Sequence, residues 1–301
     1  MEIRKISDLF SALKNRKPRR LVVSNAMDAH SLEAVYQAIN LSIVSGVLTG
    51  NQNEIIHLCR QINIDPEVFT IVPADNEQEA VQTAVRLVKE GRGDIIMKGL
   101  ISSDKYMRAL LNKEYGLLSP GSVLSHVTVI ENPIYHKLLL VSDVAVIPYP
   151  GLEQKIVIVD YLIETARSMG IQHPLVALIA ASEQVLPSLV STTDAAAIVE
   201  LYNQGRFPGA TVAGPMGLDV AIDKESAEIK QIVSPVAGNA DCLLFPNIDA
   251  GNVFYKTNAK LGRSQQAAVV AGATVPAVLS SRGDSVQTKL NSIALAAILC
   301  K

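Results

Sequence analysis

Short β-branched runs alternate with segments of helical period along nearly the whole chain, and that alternation leaves few folds open. Residues 21–24 read as a strand, followed by a helix to about residue 40. Residues 43–48 form the next strand, which ends at Thr49-Gly50-Asn51, a turn that opens another helix. Residues 70–72 are a strand stopped by Pro73, and Val81, Ala84, Val85 and Val88 then fall on one helical face. Asp94-Ile95-Ile96-Met97 reads as a strand entering Lys98-Gly99, and Tyr106, Met107, Leu110 and Leu111 give the following helix its apolar face. Such repetition requires right-handed crossovers and a mostly parallel sheet with helices on both faces, an α/β fold.

Two paired strands, 123–131 and 137–146, follow around the turn signal Asn132-Pro133. Pro148-Tyr149-Pro150-Gly151 is the clearest punctuation in the chain and marks a domain boundary. A helix over about 152–169 opens a second series, with strands at 175–179, 210–213, 242–245, 268–271 and 277–279. The last helix runs from about 284 to 300, with Val286, Leu290, Ile293, Ala297 and Ile298 on one face. At 301 residues the chain fits two domains. With 49% hydrophobic and 19% charged residues it has material for a sizeable core and is not a disordered chain.

Several chemistries lack their marks. A net charge of −2 gives no electrostatic footprint for nucleic acid or an anionic membrane. The chain has no GxxxxGK[ST] loop, no GxGxxG after a strand and no GxSxG elbow. The five histidines show no paired metal-ligand spacing, so no metal site is expected. Cys59, Cys242 and Cys300 are far apart and odd in number, which reads as thiols in a reducing compartment. No apolar run reaches a membrane span and the first residues do not resemble a secretion signal, so the expected location is cytoplasmic.

Four segments place polar groups where strands end, which is where ligands bind in open α/β sheets. In 278–285 a strand runs into Ser280, Ser281 and Arg282, then Gly283, Asp284 and a helix start. The helix end offers N–H groups and Arg282 a fork of donors for phosphate oxygens. Asp284 or Ser285 capping the helix, with Arg282 on a surface acid, reads the same residues equally simply. In 245–256, Gly251 permits close backbone approach, and Asn252 and Lys256 stand one helical turn apart; the alternative is an Asp249 cap with a solvated lysine. Lys98 and Gly99 follow a buried strand directly, as ligand groups or with the lysine reaching over the sheet. Ser125 and His126 enter a strand, as ligand contacts or as a satisfied pair. Together the four suggest an anionic, phosphorylated small molecule.

These residues also carry a resemblance. The chain resembles the phosphate acetyl/butyryltransferase family, on its butyryltransferase side. The matching pieces are 94–99, 110–116 followed by Leu124-Ser125-His126, Gly214-Pro215-Met216-Gly217-Leu218-Asp219-Val220-Ala221, Phe245-Pro246 through Gly251-Asn252 and Tyr255-Lys256, and Ser281-Arg282-Gly283. The resemblance implies two α/β domains with a cleft between them, like isocitrate and isopropylmalate dehydrogenases, with 1–146 plus 276–301 in one domain and 147–275 in the other. It also implies a homodimer that converts acyl-CoA and phosphate to acyl phosphate and CoA, or the reverse. CoA is then a substrate and no cofactor is bound. Ser281, Arg282 and Asp284 are the implied catalytic residues. Lys98, Gly99, Ser125, His126, Gly251, Asn252, Tyr255 and Lys256 are the implied substrate contacts. One departure leaves the base open: the family's acetyltransferases carry an aspartate seven residues after the serine, where this chain has Thr288. Two other functions are the alternatives: a metal-dependent dehydrogenase of the same fold group, whose chemistry needs clustered Asp or His ligands that the sequence does not show, and a non-catalytic sensor of acyl phosphate or CoA, which would keep the same anion site.

Overall fold

The computed structural model describes residues 2–119, 121–281 and 283–300. Chain order begins with helix α1 (Ser7–Leu13), then β1 (Arg19–Ser24), α2 (Ala29–Asn40), β2 (Val44–Gly50), α3 (Gln52–Gln61), β3 (Thr70–Pro73), α4 (Glu77–Lys89), β4 (Ile95–Lys98) and α5 (Ser103–Leu110). It continues with β5 (Ser125–Glu131), β6 (Leu139–Ser142), α6 (Leu152–Ser168), β7 (Leu175–Ile179), α7 (Val190–Asn203), β8 (Thr211–Met216), α8 (Leu218–Ile222), α9 (Lys224–Ile229), β9 (Cys242–Leu244) and α10 (Ile248–Lys260). It closes with β10 (Gln265–Ala271), β11 (Ala277–Val278) and α11 (Val286–Leu299).

The chain separates into two compact units. One is Ile6–Leu124 with Ala267–Lys301; the other is Ser125–Gln266 with the first five residues. By their place along the sequence alone, we call them the outer and central units. The divisions fall at 124/125 and 266/267, where the sequence suggested 146/147 and 275/276. The physical reason is pairing. The hairpin β5-β6 reads like an appendage of the first half, but β6 runs parallel to β9, with Val141 opposite Leu243, and so belongs with the later strands.

In the outer unit the strands lie in the order β3-β2-β1-β4-β11-β10. All pairings are parallel except that of β10 with β11. Apart from α1, its helices start on local side-chain caps. Asp28 accepts from the Ser31 amide at α2, Asn51 from Glu54 at α3 and Asn76 from Glu79 at α4. Helix α11 packs on α1 and α2 with residues 289–298 all buried, so the C-terminal segment closes the core begun by the N-terminal half. It starts two residues later than the sequence suggests, capped by Ser285.

In the central unit the order is β5-β6-β9-β7-β8, parallel except for β5 with β6. Its core gathers Ile130, Val141, Val144, Ala177, Leu243 and Phe245 around the strands, with α8 contributing Val220 and Ala221. Helices α7, α8 and α9, which the sequence reading did not name, connect these strands.

Candidate functional site

In the outer unit, the carboxyl end of β4 is built to hold a cation still. Lys98 lies opposite Ser24 on the last step of the β1–β4 ladder and is 3% exposed. Its Nζ donates to the carbonyl oxygens of Gly99 and Ile101 at 3.3 and 3.0 Å. Gly99 is required by space: a Cβ there would collide with the Asn25 and Ser24 carbonyls at the end of β1. Asn25, in the left-handed region at φ 53°, donates its side-chain amide to the Leu100 carbonyl and fixes the same loop.

Beside Lys98 opens a cavity of about 260 Å³, lined by Asp28, Ala29, His30, Lys98, Gly99, Leu100 and Lys289. Lys289 comes from α11, is 3% exposed, and donates to Ser31 Oγ at 2.9 Å. Asp28 Oδ1 stands 3.5 Å from Lys289 Nζ while also capping α2. Sequence reading missed both Lys289 and Asp28. The signal for Lys289 was an ionisable residue next to the apolar face of the last helix.

The Ser281 loop belongs to the same unit, beyond β11, whose Val278 pairs with Met97. Ser281 is exposed, and its amide donates to Asp284 Oδ2 at 2.7 Å, while Asp284 donates its own amide back to the Ser281 carbonyl at 3.2 Å. Asp284 therefore closes the loop and does not cap α11. Ser285 takes the cap, accepting from the Thr288 amide, and its Oγ lies 3.1 Å from Thr288 Oγ1. The Thr288 hydroxyl thus faces the cap of its own helix. Arg282 lies outside the described residues.

In the central unit, Ser125, His126, Gly251 and Asn252 gather around one residue the sequence did not single out. Asp143, 1% exposed, follows β6 directly. Its carboxylate accepts from Ser125 Oγ at 2.9 Å and from the amides of His126, Ala145, Val146 and Ile147. Ser125 Oγ also lies 2.9 Å from Ser142 Oγ, and His126 Nδ1 lies 3.1 Å from Thr128 Oγ1. Gly251 is again a close approach, since a Cβ would run into the Asp143 carbonyl. Asn252 donates to the Val144 carbonyl at 2.9 Å. Helix α10 is capped by Asn247, which accepts from Ala250, while Asp249 sits inside the first turn. Tyr255 packs on the central core and Lys256 is exposed. Asp143 was hidden because the sequence reads as strand through residue 146; a carboxylate interrupting an apolar run was the available clue.

Among the described residues no group of three His, Cys, Asp or Glu is placed to hold a metal ion. The cysteines form no disulfide. Burial raises the Cys59 and Cys242 thiols and pushes Cys300 up to about 11, which makes all three poor nucleophiles.

This is an α/β protein that carries hydroxyls and cations on the loops leaving its parallel strands. Residues 74–297 match the sequence profile described as Phosphate acetyl/butaryl transferase, and the chain belongs to that family. It is 39% identical to the phosphate butyryltransferase of Clostridium acetobutylicum, over 99% of this chain and 98% of that one. It is 36% identical to the phosphate acetyltransferase of Thermotoga maritima, over 94% and 95%. Among solved structures, a branched-chain phosphotransacylase from Enterococcus faecalis V583 superposes with a TM-score of 0.82 at 29% identity, covering 93% of this chain and 99% of that one. No described helix is long and apolar enough to cross a membrane.

Proposed function

We propose that this protein transfers a short acyl group between coenzyme A and phosphate: acyl-CoA plus phosphate gives acyl phosphate plus CoA, reversibly. The observation that carries the reading is full-length similarity to relatives named for butyryl and acetyl transfer to phosphate. In the thiol direction, the CoA sulfur attacks the carbonyl carbon of the acyl phosphate. A C–S bond forms, the C–O bond to phosphate breaks, and phosphate leaves with the electron pair. A thiol of this kind has a pKa of roughly 8.5 by analogy with cysteine, so only a minor fraction is thiolate at neutral pH. Ser281, exposed at the tip of its loop, is the hydroxyl that orients and stabilises the thiolate. By the family resemblance, Arg282 neutralises the departing phosphate. Asp284 keeps the loop closed on the Ser281 amide and is the carboxylate nearest in sequence to take the thiol proton, since Thr288 carries none.

Lys98, held by two carbonyls at a strand end, is a second cation for phosphate oxygens. The Asp143-centred loop with Ser125, His126, Gly251 and Asn252, and the exposed Lys256 one turn along α10, complete the proposed substrate contacts. CoA is a substrate, and the reaction uses no bound cofactor or metal. The reading includes a homodimer, supported by the exposed Ile134 at a groove of about 900 Å³ in the central unit. It also places the protein in the cytoplasm, supported by three unpaired cysteines. The test is a direct assay of butyryl-CoA and acetyl-CoA with phosphate, scored by free thiol and acyl phosphate. One acyl phosphate per thiol is expected, unchanged after dialysis against EDTA. Thiol release without phosphate, or none at all, contradicts the proposal.

A further inference from the structure

The cavity beside Lys98 holds more positive charge than its fold requires. Two ammonium groups, each nine-tenths or more buried, line it against one carboxylate, Asp28. Burying an ammonium costs several kcal/mol of solvation, and a second one in the same enclosure adds repulsion. A closed apolar packing of α11 on α2 would need neither lysine. The remaining wall is the first turn of α2, a helix of 12 residues, whose leading N–H groups have no partners within the helix. Among the described residues Asp28 takes two amides of that turn, Ser31 with its side chain and Leu32 with its carbonyl. At about 260 Å³ the cavity has room for a tetrahedral oxyanion with several waters, each water occupying roughly 30 Å³ in the liquid. A phosphoryl group, a dianion of several oxygens, answers two ammoniums and a helix end better than a monovalent carboxylate would.

We propose that this cavity binds a phosphoryl oxyanion, with Lys289 and Lys98 as its two cationic contacts and Asp28 as the residue that tunes its charge. Lys289 is then a binding residue at a position no motif marked. The inference rests on the acyl-transfer reading only for the source of the anion. That source is either the reacting phosphate or the 3′-phosphate of CoA.

The test measures equilibrium binding of inorganic phosphate, CoA and dephospho-CoA to the full chain and to Lys289→Gln and Asp28→Asn. Lys289→Gln should weaken the anion that occupies the cavity by roughly ten- to 100-fold, the scale of a lost hydrogen bond to a charged group. Asp28→Asn keeps an effective helix cap, removes the opposing charge and should tighten binding. These opposite signs are what a purely structural Lys289–Asp28 pair would not produce. A response of inorganic phosphate assigns the cavity to the reacting group. A response of CoA that dephospho-CoA lacks assigns it to the 3′-phosphate. Unchanged affinities for all three ligands in both folded variants overturn the proposal, as does weaker binding in both. If Lys289→Gln does not fold, the sign of the Asp28→Asn effect decides. Turnover of the parent is assayed separately. Phosphate binding with this dependence but no acyl transfer would retain the site and discard the proposed reaction; turnover with unaltered affinities would do the reverse.

Discussion

Both units bury a charge where a strand ends, and they treat it in opposite ways. Asp143 in the central unit is surrounded by donors from its own neighbourhood: four backbone amides and the Ser125 hydroxyl. A buried carboxylate so saturated is held in place by local hydrogen bonds and organises the loop that follows it. Lys98 and Lys289 in the outer unit are anchored too, but they line a cavity with a single carboxylate. A saturated buried charge shapes the backbone; a buried charge at the wall of a void is placed to meet something from solution. On the proposal made above, the first is a positioning device and the second a ligand contact.

The comparison breaks first at Asp143. Asp143→Ala leaves buried amides without an acceptor and should cost on the order of 3 kcal/mol or more of stability, since each orphaned buried group costs about 1–3 kcal/mol. A denaturant midpoint close to the parent's would show that the hub is not structural. Asp143→Asn should recover part of the loss, because one oxygen still accepts.

The Ser281 loop gives the next largest effect. Ser281→Ala should lower kcat roughly ten- to 150-fold, more than it raises KM for CoA, because the lost bond matters most as charge develops on sulfur. Asp284→Asn is its partner experiment. Asn can still accept from the Ser281 amide, so the loop survives. Activity near the parent's assigns Asp284 to loop closure, and a loss on the order of 100-fold with the fold intact assigns it to proton transfer.

A third charged pair sharpens the contrast from the other end of the β1–β4 ladder. Arg20 and Asp94 pair at 2.6 Å at the amino ends of these strands, largely in water. The hydrogen bond from Arg20 holds the Asp94 carboxyl below its ordinary value of 3.8. A lowered folded-state pKa means that the pair's contribution is present above that ordinary value and is lost as pH falls through the lowered one. Exposed pairs contribute about 0–1 kcal/mol, so Asp94→Asn should shift stability at neutral pH by no more than that and flatten the decline in acid. Catalysis should be unaltered. A large loss of activity in this variant would mean that exposure and pairing do not separate structural from functional charge here.

How much of this was legible in the sequence follows from range. The β-α alternation located the ends of most strands, and with them Lys98, Gly251 and Ser281 beyond carboxyl ends and Ser125 at the entry to β5, because strand and loop are local properties of the chain. Gly251 was read as a place of close approach to a ligand, whereas the backbone contacts that require Gly99 and Gly251 appear only in the fold. Cap chemistry was half legible: Asn51 was readable from its turn, Ser285 and Asp284 stayed open because both have the right side chain, and Asp249 was read as the cap where Asn247 in fact caps α10. Lys289 and Ser31 meet across 258 residues. Nothing local announces such a contact until α11 is laid on α2. Asp143 was masked by apolar neighbours that continue the strand pattern past its end. The placement of β5 and β6 with the later strands depended on which edge β6 pairs with, a long-range choice.

The measurement closest to the centre of this account is the phosphate dependence of thiol release from butyryl-CoA by the parent and by Lys98→Gln, with denaturant midpoints recorded for both. The account predicts saturation by phosphate in the parent. In a folded Lys98→Gln it predicts a loss on the order of 100-fold in kcat/KM for the substrate whose phosphoryl group occupies the cavity, phosphate if it is the reacting group and butyryl-CoA if it is the 3′-phosphate, as expected when a buried cation is taken from an anion. Equal dependence on phosphate and on butyryl-CoA in the two folded proteins would contradict it, because the buried charge at the end of β4 would then have no part in meeting a phosphoryl group.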